Sequence, residues 1–436
     1  MAQAAAYFIK EAVTAMNDSV NNGRPGIWRN LVIFLGVMGP GIITANVDND
    51  AGGIATYSVA GAHFGYSMLW VFIPMALALI VIQEMCSRMG VVTGKGLADL
   101  IREKFGVKVT FYAMAVFLFS NLTNTISEFS GIAASCEIFG ISRYISLPIA
   151  AFLIWWIVVK GTYKSVEKIF LAACFFYLAY VMTGFLVKPQ WGAVAKEFIK
   201  PTFSFNQAFI LMIMGVVGTT IAPWMQFYQQ SSVVEKGINV KDYKYARLDV
   251  IIGGIVVNVI AIFIIISCAA TLFKSGVRIE TAKDAALALR PLAGNYCTSL
   301  FAFGLLNASI FSAMILPLAT AYSVCEGLGW EAGVDKRLKE APQFYFLFTA
   351  LIIMGAGIIM FPKINLIMVM LLSQAANSVF LPFVLIFMLL LINDKRLMGK
   401  YTNSAFFNTI AWATVIIMVF LTIALTVVSL MPAGHR

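Results

Sequence analysis

Asp48-Asn49-Asp50-Ala51-Gly52-Gly53 interrupts an apolar run that starts near Leu31 and resumes at Ile54. An Asp near the middle of a bilayer costs about 2.5–3.5 kcal/mol on insertion scales. A Gly weakens a helix by about 1 kcal/mol relative to Ala. Irregular backbone at membrane depth persists only where protein covers it or a watery cavity meets it. The stretch therefore predicts a broken membrane helix whose carboxylates face a cavity, which is how ion-handling membrane proteins are built.

The rest of the chain agrees with a membrane setting. Its 436 residues are 60% hydrophobic and 12% charged, against about 25% charged residues in a soluble domain. The net charge of +10 is carried by short loops between apolar spans, so it is no sign of nucleic-acid binding. Six scattered cysteines, with no close pair, give no disulfide framework or thiolate metal cluster by spacing. Two histidines, His63 and His435, exclude an imidazole-rich site. Residues 1–29 read as polar and cytoplasmic, with no cleavable signal, and the first apolar run as a retained span.

Apolar runs near twenty residues predict about eleven helical spans: 30–62, 67–90, 107–138, 146–160, 166–187, 206–234, 246–273, 297–325, 343–361, 365–392 and 405–431. With the N-terminus cytoplasmic, 21 of the 31 Lys and Arg fall in inside segments. That two-to-one bias sets the orientation. An odd number of spans then places the C-terminus outside, and the expected location is the plasma (inner) membrane.

A second interruption falls in the sixth span, at Gly215, Gly218, Thr219, Thr220 and Pro223. Gly and Pro are common in membrane helices, so these residues alone would signal only a kink. Paired breaks in corresponding spans of two halves point instead to a midplane binding site. The expected organisation is an all-α polytopic protein with a LeuT-like five-plus-five inverted repeat. Spans one to five occupy 30–190, spans six to ten 191–393, and an additional eleventh span 394–436.

Several motifs resemble one family. Gly39-Pro40-Gly41, Asp50-Ala51-Gly52-Gly53, Gly65-Tyr66 and Leu69-Trp70 are similar to the first-span pattern of the NRAMP divalent-metal transporters. Arg88-Met89-Gly90-Val91-Val92-Thr93-Gly94 resembles that family's second span, and Ser373-Gln374 with Leu381-Pro382-Phe383 its tenth. The resemblance implies a metal site at the two breaks, with Asp50 as principal charge, the carbonyl of Thr219 and the amide of Gln374. Departures are equally informative. Gly53 stands where the family has a binding Asn, Ala222 where it has a Met thioether and Trp224 where it has a His. Glu128 matches an acidic position in the third span, while Thr125 stands where many members have Asp. This pattern is most like the divergent NRAMP-related magnesium transporters.

A thioether is a soft ligand, suited to late transition metals and useless for hard Mg²⁺. Mg²⁺ keeps several waters and binds through one or two carboxylates. The expected function is therefore uniporter-like, alternating-access transport of partly hydrated Mg²⁺, and also Mn²⁺, without proton coupling, because Trp224 and Thr125 remove two groups from the titrating chain that coupling needs. Asp48 is expected at the site or its approach, or else as a hydrogen-bonded helix-end cap. Asn49, Asn377, Glu128, Trp224 and Gln226 are expected behind the ligands or along the path. The alternatives are a proton-coupled Mn²⁺/Fe²⁺ transporter of the same type and an amino-acid transporter of the same fold. Two Asp at the break would repel a substrate carboxylate. A channel lacks its ring of repeated ligands here, and no motif supports an enzyme. No cofactor, nucleic acid or protein partner is implied; the partners are the divalent ion and the lipid bilayer.

Overall fold

The computed structural model describes residues 44, 47–160, 177–334 and 336–430, and among these the regular structure is all helical. Thirteen helices carry the architecture. They are α1 (Ala51–Phe64), α2 (Phe72–Thr93), α3 (Leu97–Ile138), α4 (Arg143–Val159), α5 (Leu178–Leu186), α6 (Trp191–Ile199) and α7 (Gln207–Thr220). They continue as α8 (Pro223–Glu235), α9 (Tyr243–Cys268), α10 (Cys297–Leu328), α11 (Pro342–Ile359), α12 (Leu366–Ile392) and α13 (Ala405–Leu430).

Among the described residues, eight helical segments are long and apolar enough to cross a membrane, and α4 is a shorter apolar helix. The first and fifth expected spans lie only partly within the described residues. The sixth is two helices, α7 and α8, that meet at Ile221 and Ala222.

The structure moves several expected boundaries. Residues 97–105, expected in a loop, form the first part of α3, and the chain turns at Gly106 with φ 79°. Only Gly adopts that conformation without strain, so helix and kink occupy a segment that charge alone reads as a connection. The 191–205 connection contains α6, and the 274–296 loop contains the short helix Ala282–Ala286, closed by a capping box between Thr281 and Asp284.

The core lies where α3 and α12 pass the two breaks. α10 and α12 pack along α3, α7 packs on α12, and α9 packs on α1. The last span, α13, lies against α12, α7 and α2. It is fastened there by Arg88 of α2. That guanidinium meets Glu84 at 3.1 Å, donates to the carbonyls of Tyr401 (3.1 Å) and Thr402 (3.2 Å) and to Asn403 Oδ1 (2.5 Å), and stacks over Phe407. Glu84 also accepts the Tyr243 hydroxyl from α9. Arg88 thus serves packing among α2, α9 and α13. A buried charge of this kind persists because it is paired and hydrogen-bonded, here through both terminal nitrogens of the guanidinium.

Candidate metal site

The first break is built by Asp50 itself. Its backbone is extended (φ −71°, ψ −173°), and its Oδ1 accepts the Gly53 N–H at 2.7 Å, capping α1. Asp is among the best N-caps because its oxygen satisfies a helix donor that has no partner inside the helix. The next free donor, Ala51 N–H, goes to Glu128 Oε2 at 3.3 Å. Glu128 and Asp50 therefore stand side by side, close enough to act on one another directly. Asp48 is also close to Asp50. It is 1% exposed, and neither of its carboxylate oxygens has a hydrogen-bond partner among the described residues. The helix-end-cap reading of Asp48 is thus corrected: Asp50 caps α1, and the Asp48 carboxylate is left over. A buried carboxylate with no partner is costly, and adjacent carboxylates repel. A cation relieves both.

The second break follows from Pro223. Having no N–H, it cannot bond the carbonyl of Thr219 four residues earlier. α7 therefore stops at Thr220, and Ala222 is extended (φ −73°, ψ 143°) before α8 starts. The Ala222 carbonyl turns into α8, accepting from Met225 N and Gln226 Nε2, each at 3.2 Å. Its oxygen is thus used in the start of α8. Tyr57 of α1 and Thr220 of α7 tie the two breaks together, their hydroxyls 2.6 Å apart.

The tenth span brings Gln374 to both breaks, and two glycines allow it. A Cβ on Gly52 would lie 1.8 Å from Gln374 Nε2, and one on Gly218 would lie 2.0 Å from the Gln374 carbonyl oxygen. Gln374 Oε1 accepts from Asn377 Nδ2 at 2.8 Å, whereas its buried Nε2 is unpartnered and faces the first break. The expected ligand therefore presents its nitrogen in this state, and coordination through oxygen requires the amide to turn over. Asn377 is held behind it by a reciprocal amide pair with Asn124 (2.8 and 3.0 Å) and by Ser120 (3.1 Å).

Position 53 points into the site. A side chain there would meet the Asp48 carbonyl at 2.8 Å, Thr219 Oγ1 at 3.1 Å and Asp50 Oδ1 at 3.5 Å. The space expected from losing an Asn is thus partly taken by the Asp48 backbone. Asn49, Trp224 and Gln226 each have partners within the fold. The Asn49 carbonyl accepts the Tyr177 hydroxyl at 2.7 Å. Trp224 is buried in the first turn of α8 against Tyr228. Gln226 Oε1 receives the Cys86 thiol at 3.5 Å. Gln229, one turn further, receives the Thr44 hydroxyl at 3.1 Å and so joins α8 to the chain before the first break. At the far end of α3, Glu137 pairs with Arg143 at 2.6 Å at the turn into α4.

Tyr57, Tyr177 and Asn124 were not singled out from the sequence. A polar residue inside an apolar run was their only signal, and that signal is shared by many packing residues. Among the described residues, no three His, Cys, Asp or Glu side chains form a metal cluster. The first break is instead lined by pairs: Asp50 has Asp48 as one neighbour and Glu128 as the other, with Thr219 Oγ1 beside position 53 and the Gln374 amide beside position 52. These are hard oxygen donors, apart from the amide nitrogen, and no sulphur is among them. They fit a cation that retains water as its transported substrate.

A family model described as Natural resistance-associated macrophage protein-like (Nramp) matches residues 41–428. The chain is 25% identical to the divalent metal cation transporter MntH of Bacillus subtilis over 425 residues, covering 95% of this chain and 96% of that protein. It is 26% identical over 434 residues to the MntH of Clostridium acetobutylicum, covering 96% of each. In three dimensions it is similar to the Eremococcus coleocola manganese transporter crystallised with an aromatic bis-isothiourea compound. The TM-score is 0.75 at 20% identity, over 91% of this chain and 87% of that one. A more distant likeness is Mhp1, a nucleobase-cation-symport-1 family transporter in a closed conformation, with TM-score 0.54 at 15% identity over 89% and 92% of the chains.

Proposed function

From the premise that the chain belongs to the Nramp family, whose members are transporters and not enzymes, we propose that it carries Mg²⁺ as well as Mn²⁺ through the paired breaks by alternating access. The carrying observation is the oxygen-rich donor set around Asp50, with Ala222 where a thioether would select soft metals. A hard, partly hydrated ion is served by carboxylate and carbonyl oxygens, and nothing in that set favours manganese over magnesium by softness. The two MntH relatives are named for divalent metal cations, and manganese is the substrate named for the Eremococcus transporter. This supports Mn²⁺ as a second substrate.

Competition tests the selectivity. In proteoliposomes, Mg²⁺ at ~10 mM is expected to suppress Mn²⁺ uptake substantially, as a weak site with few hard ligands implies. Ala222→Met is expected to shift preference toward Mn²⁺ by about tenfold, or about 1.4 kcal/mol. Absence of Mg²⁺ competition in the unaltered protein would remove the magnesium reading and leave the manganese/iron one.

Transport is proposed to be uniporter-like. An inside-negative potential of 100 mV favours inward movement of a divalent ion by about 4.6 kcal/mol, so no second gradient is required. Trp224 cannot relay a proton, and the titratable residues at the breaks are those that hold the ion. Mg²⁺ uptake under an imposed potential is expected to leave the pH of the vesicle lumen unchanged; metal-driven acidification would establish coupling instead.

A further inference from the structure

A cavity of about 470 Å³ opens at the end of α12, far from the breaks along the chain. Its walls are Lys104, from α3 just before the Gly106 kink, Leu389 and Leu390 of α12, the connection Asn393–Arg396, and Trp412 of α13. The chain turns at Gly106, two residues after Lys104. The connection belongs to a segment whose charge places it on the cytoplasmic side.

The charges in this cavity do not balance. Asp394 is engaged within the protein: it pairs with Lys104, and its Oδ1 accepts the Arg396 N–H at 2.8 Å. The hydrogen bond from Lys104 holds the Asp394 carboxyl below its usual range. Lys395 and Arg396 are both exposed, and neither has an ion-pair partner among the described residues. Two positive charges therefore remain at the cavity. The other wall is apolar and faces outward: Leu390 is 45% exposed and Trp412 is 40% exposed. Trp412 lies seven residues into α13, about 10 Å from its start, a depth suited to an indole at the headgroup boundary.

We propose that this cavity binds the anionic headgroup of a membrane phospholipid, with Lys395 and Arg396 on the phosphate and the Leu390–Trp412 wall against the acyl chains. Only a ligand with a charged head and an apolar tail uses both walls, which separates it from a soluble phosphate. Basic pockets between membrane helices on the cytoplasmic side recognise such lipids. The site is independent of which ion the protein carries.

The test uses the full chain purified in detergent, with bound lipid counted by native mass spectrometry. Dioleoyl-phosphatidylglycerol is expected to be retained in preference to dioleoyl-phosphatidylcholine. The pair Lys395→Gln with Arg396→Gln is expected to weaken phosphatidylglycerol binding about thirty-fold, equivalent to about 1 kcal/mol for each cation removed. Lys196→Gln with Lys200→Gln, two exposed cations on and after α6, is expected to leave binding unchanged. Arg396→Gln alone gives an intermediate loss and serves if the double variant misfolds. Equal retention of phosphatidylcholine, an equal loss in the α6 pair, unaltered binding in the 395/396 variants, or displacement of the lipid by inorganic phosphate would each overturn the proposal.

Discussion

Asp50→Asn is expected to abolish Mg²⁺ and Mn²⁺ flux in proteoliposomes while leaving the protein as stable as before. Asp50 has two roles in the structure, and the substitution separates them. One is mechanical: Oδ1 accepts the Gly53 N–H and starts α1. Asn caps a helix about as well as Asp, so this role survives. The other is electrostatic: Asp50 lies between Asp48 and Glu128 where the two breaks meet. If Asp50 holds the ion as proposed, removing its charge is expected to lower flux by about 100-fold or more, beyond the 10–100-fold typical of groups that only support a ligand. Asp50→Ala removes both roles and is expected to lose the same flux and about 1 kcal/mol of stability as well. A well-folded Asn variant that transported near the original rate would move the principal charge to Asp48 or Glu128.

Gly218→Ala is expected to have the largest effect on folding. The new Cβ would lie 2.0 Å from the Gln374 carbonyl oxygen, 2.4 Å from Ser378 Oγ and 2.9 Å from Ser378 N. Two of these are backbone atoms of α12, which move only if the helix does. Overpacking costs about 1–3 kcal/mol where side chains can yield; here the cost is expected at or above the upper end. Gly52→Ala meets the end of the Gln374 side chain at 1.8 Å, which swings away more cheaply. Its expected result is therefore a folded protein with impaired transport, because the tenth-span amide is displaced from the break. Gly357→Ala in α11 faces open space and is expected to be neutral, or stabilising by up to about 1 kcal/mol. Melting temperatures in detergent for the three variants check this order. Equal melting of the Gly218 and Gly357 variants would show that α7 and α12 do not approach as closely as the structure places them.

The two breaks were legible in the sequence because each breaks a local rule. Asp48 and Asp50 violate the apolar run, and Pro223 withholds the N–H that the helix needs from the residue four before it. Both are short-range statements, and the structure places the ends of α7 and the start of α1 where they predict. The kinked start of α3 was not legible as helix: residues 97–105 are too charged to read as a span, and the turn depends on the backbone angle of a single Gly106. Nor was the direction of the Gln374 amide, which is set by Asn377, 253 residues from its partner Asn124.

By itself, the sequence determined that this protein is a bundle of membrane helices, that two of its spans break, and that one break carries charge. Hydrophobicity, helix chemistry and the cost of a buried carboxylate act over a few residues and need no fold to be read. Tertiary structure alone decided which Asp is spent on capping and which is left without a partner. It also decided that Ala222 turns its carbonyl away, that position 53 lies against the Asp48 backbone, and that Lys395 and Arg396 have no ion-pair partner among the described residues beside an exposed Trp412. Each of these depends on which polar groups from distant parts of the chain meet, and hydrogen bonds and charges are satisfied in space rather than along the sequence.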